Sequence, residues 1–168
     1  DNAHGQLGDG SNTGSFKFLW TYLSDAKAIA VGDKHSMVLH RDGSVWTTGQ
    51  NEYGQLGDGS WADKNTFTDV LSGGAQAIAA GHDHSMVLKQ DGSVWATGRN
   101  THGQFGDGTA TSRSRFVEVV SSGVKAVTIG NFHSMMLKDD GSVWITGSNS
   151  FGQLGMGFLM TQSVAFYK

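Results

Sequence analysis

One pattern recurs through this chain at an interval of 49 residues. The stretch Ala77–Gly108 reads AIAAGHDHSMVLKQDGSVWATGRNTHGQFGDG, a near copy occupies Ala28–Gly59, and a third runs from Ala126 to Gly157. His35, His84 and His133 mark its phase, as do Trp46, Trp95 and Trp144. The 168 residues hold about three and a half copies, over approximately 2–50, 51–99, 100–148 and a partial 149–168. A period of this size makes the repeat the structural unit, and such units bury their apolar faces by stacking within one segment, 1–168.

Composition narrows what the repeat can be. There are 25 Gly and no Pro or Cys, which suits tight turns and short strands. Without Cys there are no disulfides, thiolate metal sites or Cys nucleophiles. Twelve Lys and Arg stand against 15 Asp and Glu with no basic run, so a nucleic-acid partner is not expected. Lys64, Arg99, Arg113 and Arg115 supply at most a local basic patch. No apolar run is long enough to span a membrane, and the opening residues do not read as a signal peptide. The chain opens in the middle of a motif, which suggests an arbitrary end. A Gly/Ser/Thr-rich, Cys-free surface leans towards an extracellular module.

Within each copy four short segments read as strands. Phe16–Leu23, Thr66–Leu71, Phe116–Val120 and Val164–Tyr167 form the first. Ala28–Val31, Ala77–Ala80 and Ala126–Ile129 form the second, each ending at a glycine (Gly32, Gly81, Gly130). His-Ser-Met-(Val/Met)-Leu makes the third, at 35–39, 84–88 and 133–137. Ser-Val-Trp-x-Thr makes the fourth, joined to the third through Asp42-Gly43, Asp91-Gly92 and Asp140-Gly141. Asp-Gly between apolar strands predicts a two-residue hairpin with φ > 0 at both positions. Four antiparallel strands per copy, with no insertion or deletion, predict an all-β chain of β-propeller blades. The Trp of the fourth strand is expected to be the large side chain packed between blades.

Gly-x-x-His-Ser-x-x-Leu, then Asp-Gly-Ser-Val-Trp, then Gly-x-Asn-x-x-Gly-Gln-Leu-Gly, in fixed order and spacing, resembles the regulator of chromosome condensation repeat family across essentially the whole chain. The resemblance implies a propeller, commonly of seven blades. It departs in the first strand, where Phe18, Phe67 and Phe116 stand where the family often has Pro. It departs also in length, since a seven-bladed ring needs roughly twice this chain. Both ends carry the connection and first strand, so two copies do not complete each other. The expectation is a segment of a longer propeller, or a repeat unit in a larger assembly.

Chemistry is sought against this scaffold. The pairs His35-Ser36, His84-Ser85 and His133-Ser134 are adjacent on a strand and point to opposite faces, so they do not make nucleophile and base. One His per blade reads instead as a buried hydrogen-bonding post. Asp9, Asp58 and Asp107 lack the ladder of a calcium loop and read as acceptors for their own loops. No metal, cofactor or catalytic residue is expected. His35, His84, His133, Trp46, Trp95, Trp144, Gly43, Gly92 and Gly141 are assigned to structure.

Function is expected where the copies disagree. The turns after Gly32, Gly81 and Gly130 read Asp33-Lys34, His82-Asp83 and Asn131-Phe132, and the connections vary at Glu52-Tyr53, Thr101-His102 and Ser150-Phe151. Alternating strands send these turns and connections to one face and the Asp-Gly hairpins to the other. The candidate partner-binding residues are Lys34, Glu52, Tyr53, Trp61, His82, Asp83, His102, Arg113, Arg115, Phe132 and Phe151, an aromatic and mixed-charge set suited to protein contact. The expected function is a non-enzymatic protein-interaction or structural scaffold, with a protein partner or further copies of itself. The resemblance offers alternatives: guanine-nucleotide exchange on a small GTPase, which needs an inserted wedge absent here, and inhibition of a secreted enzyme. Light sensing, known in a plant ultraviolet receptor of this repeat type, relies on Gly-Trp-Arg-His-Thr clusters; the matching runs at 32–36, 81–85 and 130–134 lack that Trp.

Overall fold

Backbone pairing follows the apolar segments. The computed structural model describes residues 1–21, 23–155 and 162–167, which form three four-stranded antiparallel sheets. The first holds β1 (Ala26–Val31), β2 (His35–His40), β3 (Val45–Gly49) and β4 (Lys64–Leu71) in that spatial order. The second holds β5 (Ala75–Ala80), β6 (His84–Lys89), β7 (Val94–Gly98) and β8 (Arg113–Val120). The third holds β9 (Val124–Ile129), β10 (His133–Lys138), β11 (Val143–Ser148) and β12 (Gln162–Tyr167). Stacking runs through the inner strands, with β5 against β1 and β2, and β9 against β5 and β6. The all-β expectation is met as a row of blades.

Each sheet is completed by the segment that the motif places at the head of the following copy. The expected strand at Phe16–Leu23 therefore does not form: its described residues are irregular, and Phe16 and Phe18 are fully exposed. A strand there would pair with the third strand of a preceding sheet. No described strand precedes it. The unbroken period is corrected too. Thr48 and Thr97 donate their hydroxyls to carbonyls 16 residues on, at Lys64 and Arg113, whereas Thr146 reaches Ser163, 17 residues on. The third connection thus carries one extra residue.

The Asp-Gly hairpins differ from expectation as well. Gly43 N donates to His40 O at 3.0 Å and His40 N donates to Ser44 O at 2.9 Å, the pattern of a three-residue loop, and Gly92 and Gly141 repeat it. Only the glycine is left-handed, with φ of 84° at Gly43. Asp42 keeps an ordinary φ because its Oδ1 accepts the Ser44 N–H at 2.8 Å, which holds the turn from inside. The loop's other task is contact between blades: Gly43 O accepts Ala75 N at 3.0 Å, and Gly92 O accepts Val124 N at 3.2 Å.

The core lies between blades. β6, between two sheets, is apolar on both faces because both are covered. Met86 and Leu88 of β6 pack with Phe105, Val124 and Met136 on one side, while Val87 between them packs with Met37, Leu39 and Val45 on the other. Leu56 and Phe105 are fully buried plugs supplied by the connections. The repeated Trp is a lesser element than expected. Trp46, Trp95 and Trp144 are half-buried, lidded by His40 stacked at 5.6 Å, Lys89 Nζ at 3.8 Å and Lys138 Nζ at 5.6 Å from the ring centre. Their indole N–H groups explain the position: Trp95 and Trp144 donate to Ser93 and Ser142 hydroxyls at 3.1 and 2.8 Å, beside the hairpins, where a polar partner is at hand.

Candidate functional site

The invariant positions build the frame from which the variable ones project. Gly32, Gly81 and Gly130 end the inner strands, and each His three residues later folds back over its glycine. A Cβ at Gly81 would stand 2.8 Å from His84 Cε1 and 2.7 Å from Gly130 O. His35 Nε2 lies 2.9 Å from Ser85 Oγ of the next blade, and His84 Nε2 lies 3.0 Å from Ser134 Oγ. Ser85 donates its single hydroxyl proton to Gln55 O at 2.8 Å. His35 Nε2 must therefore carry the proton in the bond to Ser85, and the imidazole is neutral.

Burial enforces that state. Desolvation pulls His35 from 6.5 down to about 4 against the opposing charge of Asp83, and pulls His84 down to about 3 with smaller contributions from the neighbouring histidines. Burial also lowers His133. A His–Ser pair thus forms across copies, where sequence reasoning examined only the adjacent pair. It is no catalytic dyad, because the serine proton points to a carbonyl and both side chains are sealed from solvent. In the connections, Asp9, Asp58 and Asp107 each accept the N–H of the residue two positions on, at 2.9, 2.8 and 2.9 Å, as their loop role requires.

The variable turns and connections do emerge together. Gln50 N, Arg99 N and Ser148 N, at the start of each connection, donate to the carbonyls of Lys34, Asp83 and Phe132 in the turns. On this face Arg99 is central. Its Nη1 lies 3.3 Å from Asp83 Oδ2, and its guanidinium packs 4.9 Å from the Tyr53 ring centre and 5.8 Å from that of Phe132. His82 tilts against Phe132 at 5.2 Å and His102 meets it edge-on at 5.7 Å. His82 Nδ1 is 2.9 Å from Asp83 Oδ1, and its Nε2 is 3.5 Å from Asp33 Oδ2. Three blades are tied by this cluster. Beside it lies a cleft of about 670 Å³ walled by Phe132, Phe151, His102, Asn131, Ser150 and Gln153.

Of the expected partner-binding residues, the structure joins Tyr53, His82, Asp83, His102 and Phe132, and sets Phe151 across the cleft, 93% exposed. Asp83 is enclosed by its own neighbours, 2% exposed, and is a support for Arg99 and His82 rather than a contact surface. Lys34, Glu52, Trp61, Arg113 and Arg115 make no hydrogen bond, ion pair or ring contact from their side chains to the cluster. Trp61 is half-exposed in its connection, and Arg115 lies over Gly59 on the outer strand β8. Arg99 was absent from the expected set. Its signal was present, since its repeat position varies as Gln50, Arg99 and Ser148. Among the described residues no group of His, Asp and Glu is arranged to hold a metal, and no helix is long and apolar enough to cross a membrane.

Comparison with known proteins agrees with this architecture. Two sequence families, both described as regulator of chromosome condensation (RCC1) repeat, match: one at residues 26–55, 75–104 and 124–153, the other at 42–88 and 91–137. No curated protein matches the sequence. Among solved structures, human WBSCR16 superposes with a TM-score of 0.83 at 21% identity, over 99% of this chain and 45% of that one. Prp20p from Saccharomyces cerevisiae, studied for its binding to Gsp1p and histones, superposes with 0.78 at 23% identity, over 87% and 38%. Yeast RCC1 (Prp20) in complex with Kap60 gives 0.77 at 23% identity, over 86% and 37%. The chain spans less than half the length of each.

Proposed function

The chain belongs to the regulator of chromosome condensation repeat family, and from that premise we propose that it is a non-enzymatic scaffold that binds another protein through the face of variable turns and connections. The observation that carries the reading is the aromatic and cationic cluster around Phe132, open to solvent through the cleft that exposed Phe151 borders. Aromatic groups held rigid by their neighbours lose little entropy on binding, which is what makes such positions strong contacts. The opposite face carries the repeated hairpins, of whose glycines Gly43 and Gly92 accept hydrogen bonds from the next blade. Support also comes from the fold: proteins similar in structure are described in complex with Kap60 and by binding to Gsp1p and histones. Neither the fold nor these relatives support the extracellular placement expected from composition.

The test is capture. A chain carrying Tyr53→Ser, His102→Ser, Phe132→Ser and Phe151→Ser should lose the partners that the native chain retains from a cell extract, with strand content unchanged by circular dichroism. Equal capture by both chains would refute the assignment of this face.

A further inference from the structure

Two cavities on the variable face share a wall. The cleft of about 670 Å³ runs between Phe132 and Phe151, a smaller polar cup of about 270 Å³ sits over Gly32, Gly81 and Gly130, and Asn131 borders both. The cup lies where the inner strands β1, β5 and β9 end. Its polar side chains occupy a single repeat position, filled by Asp33, His82 and Asn131.

Charge in the cup is unbalanced. The Asp33 carboxylate is 47% exposed, and its ion-pair partner among the described residues is His82, at 3.5 Å. His82 is shared, with its other ring nitrogen 2.9 Å from Asp83. Arg99 and Lys34, two cations of this face, do not line the cup. Arg99 is committed to Asp83 and covered by Tyr53. Lys34 holds the repeat position of Asp83 and Phe132, which lies towards the connections, and does not line the cup. A half-exposed carboxylate in a concave polar site attracts a positive group and repels a negative one. The adjoining cleft is walled by two phenylalanine rings and offers an apolar side chain a seat out of water.

We propose that the occupant is an extended segment of a partner protein, with an aromatic or large aliphatic residue between Phe132 and Phe151 and an Arg or Lys a few residues away reaching Asp33. The proposal rests on the reading of this face as the partner-binding surface and adds the chemistry of the partner. Asn131, between the two cavities, is placed to hydrogen-bond the backbone of the segment joining the two side chains.

Fluorescein-labelled Gly/Ser peptides carrying one Phe with Arg, Gln or Glu at varied spacing, and peptides with Arg alone, are titrated by anisotropy against the native chain, Asp33→Asn and Phe151→Ser. The Phe–Arg pool should bind about two- to fivefold tighter than Phe–Gln, with Phe–Glu weakest. Asp33→Asn should erase the Arg preference and leave Phe–Gln binding unchanged, while Phe151→Ser should weaken every Phe pool. Both variants keep the fold, since Phe151 is exposed and Asn copies the shape of Asp. Equal binding of the Phe–Arg and Phe–Glu pools, or an Arg preference that survives Asp33→Asn, overturns the proposal. If binding in that case still depends on Phe151, the face stands and only the basic residue is refuted. Binding of no pool overturns the proposed occupant, and the capture experiment then reports on the face independently.

Discussion

His35 Nε2 stands 2.9 Å from Ser85 Oγ, one blade away and 50 residues along the chain, and Ser85 passes its own proton to Gln55 O at 2.8 Å. A histidine, a serine and a connection from two repeats are thereby locked in one buried chain of hydrogen bonds. Ser85→Ala leaves the His35 Nε2–H without an acceptor and Gln55 O without this donor. The expected cost is about 1–3 kcal/mol, read as a lower midpoint in urea with an unchanged slope.

Protonation gives a second handle on the same bonds. His35 and His84 are held at about 4 and about 3 by burial, below their ordinary 6.5. Between these values the unfolded chain takes up protons that the folded chain refuses, so folding stability is fully present above about 6.5 and falls as pH drops towards 4 and then 3. Melting temperature followed across this range should decline with acid. His84→Gln, which keeps a donor for Ser134 but does not titrate, should flatten the decline.

Close approach at the axis predicts a contrast between glycines. Gly81→Ala would set a methyl 2.6 Å from Ile129 Cγ2 and 2.7 Å from Gly130 O, where backbone cannot yield, whereas a methyl at Gly73 would meet nothing nearer than Asp42 O at 3.6 Å. Gly81→Ala should cost about 2–3 kcal/mol or more, and Gly73→Ala should be within about 0.5 kcal/mol of the native chain. Paired denaturation curves check both.

Arg99 is predicted to stabilise the binding face rather than to touch the partner first. Arg99→Met removes the ion pair to Asp83, whose side chain is 3% exposed, and should cost about 1–3 kcal/mol. Adding Asp83→Asn should recover part of that loss, because the buried charge is then gone. A double-mutant cycle in urea measures the recovery.

Much of this was legible because repetition is a strong constraint. Met86 and Leu88 could be assigned to a buried strand from one copy and confirmed from two more, and the His at 35, 84 and 133 announced a structural post. What the pattern hid lies between copies. Strand periodicity showed that His84 and Ser85 diverge, but not that Ser85 would meet His35, because that contact depends on how one blade is rotated onto the next. The hairpin type was misread because Asp-Gly fits two turns, and the Asp42 side chain selects the three-residue one. That the described residues of Phe16–Leu23 form no strand depends on a partner strand, which is not a property of the segment itself. At the face, residues were found by their variability; the position of Arg99 varies too, but its ion pair with Asp83, 16 residues earlier, could not be read from it.

The claim that the variable face binds a protein is tested most directly by photo-crosslinking. Benzoylphenylalanine is placed singly at Phe151 and Trp61 on that face, and at Gln90 and Asp139 in the hairpins of the other, all of them exposed positions. The account predicts crosslinked partner from 151 or 61 and none from 90 or 139. Crosslinks confined to the hairpin positions would contradict it.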